Sequence, residues 1–170
     1  SKRTVLVVSA NLRKAYPVIE SVAKMGLKVI GAFYAWRSCV FSRHIHKRYV
    51  ISDPYENPNS YLDQIRSITR KHAVAMIFPV GFIDSVLLAK NRNLLSKEIV
   101  LPIPSYKALM MASDKVELVK LCKEIGVKYP RTLGLVGTSL NIALRSLGLP
   151  VVVKGGSDAS IPQYAFTAEQ

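Results

Sequence analysis

The first 33 residues constrain the fold most. An apolar run, TVLVV (4–8), leads into a helical stretch with Ala15, Val18, Ile19, Val22 and Ala23 on one face, and Gly26 follows as a stop. A second apolar run, LKVIGAF (27–33), comes next. Strand, helix and strand in so short a span form a β-α-β unit, which implies a parallel pair and a right-handed crossover. The alternation continues. KRYVIS (47–52) reads as a third strand, and Ser60, with Asp63 three residues on, starts a helix whose Leu62, Ile65 and Ile68 face inward. VAMIFPV (74–80) reads as a fourth strand, and Ile83, Val86 and Leu87 mark the next helix. The expectation is an α/β fold with a doubly wound, mostly parallel sheet over residues 1–104, bounded by the two prolines of LPIPS (101–105).

Residues 105–170 read as linker helices and the beginning of a second domain. In SDKVELVKLCKEIG, Asp114 caps a helix, Glu117 completes a capping-box-like pair and Gly126 closes it, with Leu118, Leu121, Cys122 and Ile125 at helical spacing. A strand near RTLGLV, a helix over 139–147 stopped by Gly148, and a strand in PVVVK follow. No internal repeat or low-complexity tract interrupts the pattern.

Composition narrows the function. An apolar share of 49% suits a packed core, and no stretch approaches the roughly 20 apolar residues of a membrane span. No signal-like segment opens the chain, and Cys39 and Cys122 are too few for a disulfide framework and lack metal-ligand spacing. A reducing cytoplasm is the expected setting. Twenty-four Lys and Arg against eleven Asp and Glu give a formal charge of +13, which suits phosphates on nucleotides or nucleic acid. The basic residues are scattered, however. Even RHIHKR (43–48) lacks the aromatic interleaving that stacks single-stranded bases, so nucleic acid is not the expected partner.

In a doubly wound sheet, ligands bind beyond the carboxyl ends of the strands. The first such turn, SANLRK (9–14), lacks G-x-G-x-x-G; Ser9 and Asn11 can still hydrogen-bond a ligand at a helix N-terminus, but a plain β-α turn is the reading the sequence alone favours. In FPVGFIDS (78–85), Gly81 and Asp84 close the fourth strand. Asp84 either contacts a ligand or sits in the first turn of its helix, and the second reading is favoured. His44 and His46 sit among basic residues without a carboxylate partner, which suits a solvated loop, while Tyr34 and Trp36 read as packing or loop anchors. Lys115 occupies the first turn of a helix, where a cation is disfavoured unless an anion offsets it, and Lys154 is delivered by three valines beside a Gly/Ser loop. Spacing alone leaves each lysine either a phosphate ligand or an ordinary surface residue.

Taken in order, these motifs resemble a family. SDKVELVKLCKEIGVKYPRT followed by LGLPVVVKGG is similar to the start of an ATP-grasp domain. TVLVVSA, GLKVIGA, FSRHIHKRYVISDP, the helix 60–71 and AMIFPVGFIDSVLLAK are similar to the Rossmann-like domain preceding it in carbamoyl-phosphate-synthase-like carboxylate–amine ligases. The resemblance implies an ATP-dependent ligase acting through an acylphosphate, with Lys115, Lys154, Gly155, Gly156 and Ser157 contacting ATP and GGSDAS (155–160) as the loop that closes over it. It also implies a small carboxylate substrate, bound near Ser9, Asn11, Gly81 and Asp84, and a possible homodimer. Two departures stand out: the loop is poorer in glycine than usual, and the family's Mg²⁺ ligands lie beyond Gln170, so these 170 residues are expected to be inactive alone. The alternative function is a non-catalytic basic module that binds nucleic acid or another anionic partner.

Overall fold

In a computed structural model that describes residues 3–134, 140–155 and 162–167, the chain divides into two units, Ser1–Tyr106 and Lys107–Gln170. The first unit holds four strands, β1 (Thr4–Val8), β2 (Lys28–Phe33), β3 (Lys47–Val50) and β4 (Val74–Pro79). Three helices join them: α1 (Ala15–Lys24), α2 (Pro58–Lys71) and α3 (Phe82–Lys90). All pairings are parallel, in the order β3-β2-β1-β4. The chain steps outward from β1 to β3, then returns through α2 to the other flank of β1. That reversal makes the sheet doubly wound, as the alternating pattern implied.

Alternation along β1 shows how the sheet is covered. Leu6 and Val8 pack with Ile30, Tyr61, Ile65, Ile77 and Leu88 on the α2 side. Val5 and Val7 pack with Ala15, Ile19, Val22 and Phe33 on the α1 side. Both faces are dry, so β1 is apolar from Val5 to Val8, as a parallel strand buried on both sides must be. Gly31 serves this packing directly: a Cβ there would lie 3.1 Å from Ile45 Cδ1, so the glycine lets the loop before β3 close on the sheet.

Two readings of the sequence need correction here. α2 begins at Pro58, not Ser60: the Asn57 side chain accepts the Ser60 N–H at 3.2 Å, and proline occupies the first turn. This is the familiar pairing of an Asn cap with a proline that has no N–H to lose. The inward stripe is Tyr61, Ile65 and Ile68, while Leu62 is only partly buried against the same cluster. Beyond α3, Val100 continues the sheet: its N–H donates to the Ala75 carbonyl at 2.9 Å and its carbonyl accepts from Ile77 at 3.0 Å. The boundary prolines thus follow a segment that covers the β4 edge.

The second unit contains α4 (Tyr106–Ser113), which begins at the division, α5 (Lys115–Glu124), α6 (Leu140–Leu147) and an antiparallel pair, β5 (Val151–Val153) and β6 (Gln163–Ala165). Asp114 caps α5, accepting from Val116 at 2.9 Å and Glu117 at 3.1 Å, as its position predicted. The strand expected near RTLGLV does not form over residues 131–134, which are exposed; the rest of that motif lies outside the described residues. A short apolar run needs a ladder partner to become a strand, and none pairs with 131–134 among the described residues. β6, by contrast, was not expected, because its residues follow a turn-rich loop and carry little apolar alternation.

Candidate nucleotide and substrate site

The reversal of winding direction places a crevice between the carboxyl ends of β1 and β4, where open α/β sheets bind ligands. Two loops meet there. After β1, Ser9 turns the chain with φ 54°, a left-handed conformation that non-glycine residues rarely hold, and its carbonyl accepts from Leu12 at 3.0 Å. α1 follows with no side-chain cap and no acid in its first turn. The Ala15 N–H donates to the Leu12 carbonyl at 2.8 Å, the Tyr16 N–H to the Arg13 carbonyl at 3.2 Å, and Pro17 has no N–H, so the loop itself satisfies this helix start. Arg13 and Tyr16 line a 290 Å³ cavity beside this helix start, together with Ser38 and Cys39.

After β4, Gly81 starts α3 and Asp84 turns back on it. Gly81 N–H donates to Asp84 Oδ2 at 2.8 Å, and the Tyr61 hydroxyl donates to Oδ1 at 2.8 Å. A Cβ at position 81 would stand 2.5 Å from that carboxylate oxygen, so any side chain there would push Asp84 out of this contact. Leu12 of the first loop reaches the same place, with Cδ1 3.6 Å from where the Cβ would be. Asp84 is fully buried. Burial pushes its carboxyl above the usual carboxylate range, while Ser9, Tyr61, the Gly81 N–H and the charge of Lys14 pull it back. The Tyr61 hydroxyl is pushed well above the ordinary tyrosine value, by burial first and by Asp84 second. Tyr55 is raised too, by burial and then by Tyr34, Asp84 and Asp53.

Ser9 and Asn11 complete the picture. Both are buried, and Ser9 Oγ and Asn11 Oδ1 have no hydrogen-bond partner of proper geometry, although the Ser9 hydroxyl lies close enough to Asp84 to favour its charged form. Buried polar atoms without partners are rare in folded proteins and carry a desolvation cost. Together with the left-handed Ser9 backbone, they set this turn apart from an ordinary β-α turn. Ser9, Gly81 and Asp84 therefore come together, with Asn11 two residues beyond Ser9 in the same loop. Tyr61 was missed by the sequence reading, although its spacing to Ile65 and Ile68 is the signal that could have found it.

The second unit carries the remaining candidates. Lys115 opens α5 and is half-buried, and Glu117 of the same turn pairs with Lys120 at 2.6 Å. Lys154 is exposed and directly follows β5, and Gly155 follows it. Because β5 and β6 are antiparallel partners, with Val153 opposite Gln163, Lys154 stands at the base of the loop that joins them. Gly156 and Ser157 lie outside the described residues. Among the described residues, no group of three or more His, Cys, Asp or Glu is placed to hold a metal ion, and no helix is long and apolar enough to cross a membrane.

No family model and no curated protein sequence matches the chain. Solved structures do. The chain is similar to an L-amino acid ligase from Bacillus licheniformis, with a TM-score of 0.68 and 16% identity over 96% of this chain and 39% of that one. It is similar to N5-carboxyaminoimidazole synthetase from Staphylococcus aureus, with a TM-score of 0.64 and 18% identity over 96% of this chain and 41% of that one. A biotin carboxylase from Campylobacter jejuni, solved as a β,γ-ATP complex, gives a TM-score of 0.63 and 17% identity over 99% of this chain and 39% of that one. At such identities the likeness establishes the fold alone, a mixed α/β architecture with a four-stranded parallel sheet flanked by helices. The chain spans about two fifths of each of these structures.

Proposed function

We propose that this chain is the N-terminal portion of an ATP-dependent carboxylate–amine ligase of the carbamoyl-phosphate-synthase-like group, with ATP as a substrate. The observation that carries the reading is the coincidence of an ordered motif set with the fold: the motifs spread over nearly the whole chain, and so does the similarity to enzymes of that kind. The residues suit the chemistry. Lys115 and Lys154 lie in one unit, one at a helix start and one at the base of a hairpin loop, and both converge on the triphosphate in this proposal. Their ammonium groups offset the charge on the phosphates while the γ-phosphoryl passes to the substrate carboxylate. The loop from Gly155 closes over the nucleotide and shields the acylphosphate from water until an amine displaces the phosphate. The crevice at Ser9, Asn11, Gly81 and Asp84 holds the small substrate.

Magnesium belongs to such chemistry, and no ligand set for it stands among the described residues, so no step here is assigned to it. The 170 residues alone bind nucleotide weakly and release no ADP. The test uses the protein expressed from its complete reading frame, screened for ADP release over pairs of amino acids and small carboxylates. Lys115→Ala and Lys154→Ala should each lower kcat/KM ~100-fold for the productive pair, the typical effect of removing one group that stabilises transition-state charge. Absence of ADP release with every pair, or full activity in both variants, would refute the proposal.

A further inference from the structure

At the opposite end of the sheet from Ser9 and Gly81, the last turns of α2, the start of β4 and the segment 93–99 line an open cavity of 470 Å³. β4 separates the two places by about 20 Å, given the rise of a strand. Arg66 and Arg70, one helical turn apart on α2, both line the cavity, as do Thr69, Asn93 and Ser96. Arg66 Nε is buried and has no hydrogen-bond partner. The lining contains a single acid, Glu98, and among the described residues no ion pair joins it to either guanidinium.

This arrangement is costly as it stands. Like charges at this spacing repel, and a buried N–H without an acceptor forfeits its solvation. The carbonyls at the end of α2 favour Arg70, in its last turn, but they do not account for the buried Nε of Arg66. An anion between the two guanidiniums relieves the repulsion by accepting from their terminal N–H groups, whose planar geometry suits carboxylate and phosphate oxygens, while Arg66 Nε itself has no open surface for a ligand atom. Thr69, Asn93 and Ser96 add further polar groups, and Leu95 and Ile99 give the cavity an apolar side for the body of an organic molecule. The volume falls in the range of small-molecule sites, roughly 300–1,000 Å³.

We propose that this cavity is a second binding site, separate from the crevice at the strand carboxyl ends, for a small organic anion bearing a phosphate or carboxylate group. The inference does not depend on the ligase reading. Sodium phosphate and sodium malonate, titrated at constant ionic strength against the 170-residue chain, should shift the Arg66 Nε–H resonance saturably with at least one of the two, and the stronger response identifies the preferred group. Arg66→Lys, which keeps the charge and loses the fork, should weaken the apparent affinity ~10-fold, the factor for one lost charge-assisted hydrogen bond. Arg70→Gln should weaken it as well, read from the same Arg66 resonance, while Lys28→Gln, at the one exposed residue of β2, should not. A response that never saturates, one that Lys28→Gln reduces as much as Arg70→Gln does, or none with either anion, would overturn the proposal.

Discussion

Val7 and Val152 carry the same side chain in the same kind of element, yet Val7 is 0% exposed and Val152 is 49% exposed. Val7 sits in a strand with a neighbour on each side and helices across both faces; Val152 sits in a strand with one partner. The contrast extends to the whole units. Unit one buries two clusters around its sheet, whereas in the second unit Ala143 is the one buried apolar side chain among the described residues. Val116, Ile125, Val127, Leu149, Tyr164 and Phe166 remain exposed there. Apolar sequence, then, does not make a core: among the described residues of this unit, a two-stranded ribbon with short helices has too few layers to bury what it carries.

Core truncation should separate the units most sharply. Leu6→Ala is expected to lower stability by about 3 kcal/mol in urea denaturation, and Val152→Ala by less than ~0.5 kcal/mol. Equal losses would break the comparison. Next in size comes the buried carboxylate. Asp84→Ala leaves the Tyr61 hydroxyl and the Gly81 N–H without an acceptor, at about 2 kcal/mol. The sign of its pH dependence follows from the raised value of Asp84. The folded state holds this proton more tightly than the unfolded chain does, so the contribution of Asp84 to stability declines as pH rises from the ordinary carboxylate range through the folded value. Asp84→Asn should flatten that decline in urea midpoints measured from ~pH 4 to ~pH 7.

Helix caps offer a finer comparison. Asn57→Ala and Asp114→Ala each remove a cap worth about 1 kcal/mol, but the first should shift the main unfolding transition, and the second should appear only as faster amide exchange in α5. The smallest effect has the opposite sign. Ser9→Gly relieves a left-handed backbone and should stabilise unit one by ~0.5 kcal/mol, while lowering the ADP release proposed for the protein expressed from its complete reading frame. A thermal melt and an ADP-release assay on the same variant measure both.

Much of this was legible in the sequence. The four strands, the helices between them and the Asp114 cap follow from signals a few residues long: alternation, helical spacing, a side chain reaching its own helix start. What escaped depended on distant partners. Asn57-Pro58 was a local signal passed over in favour of Ser60, but β6 exists because β5 offers it a ladder, and Val100 joins the sheet because the β4 edge was open. The site divides the same way. Ser9, Asn11, Gly81 and Asp84 were candidates because they follow strands. Tyr61 lies 23 residues from Asp84, and only packing brings its hydroxyl to that carboxylate.

By itself the sequence determined the α/β class and the order of elements, since the free energy of a strand or helix turn depends first on its near neighbours. Tertiary structure alone decided the strand order β3-β2-β1-β4, the burial of Asp84 and the partnerless oxygens of Ser9 and Asn11. Desolvation is the reason: a group loses its water to whatever the rest of the chain lays over it, and no spacing along the sequence records that cover.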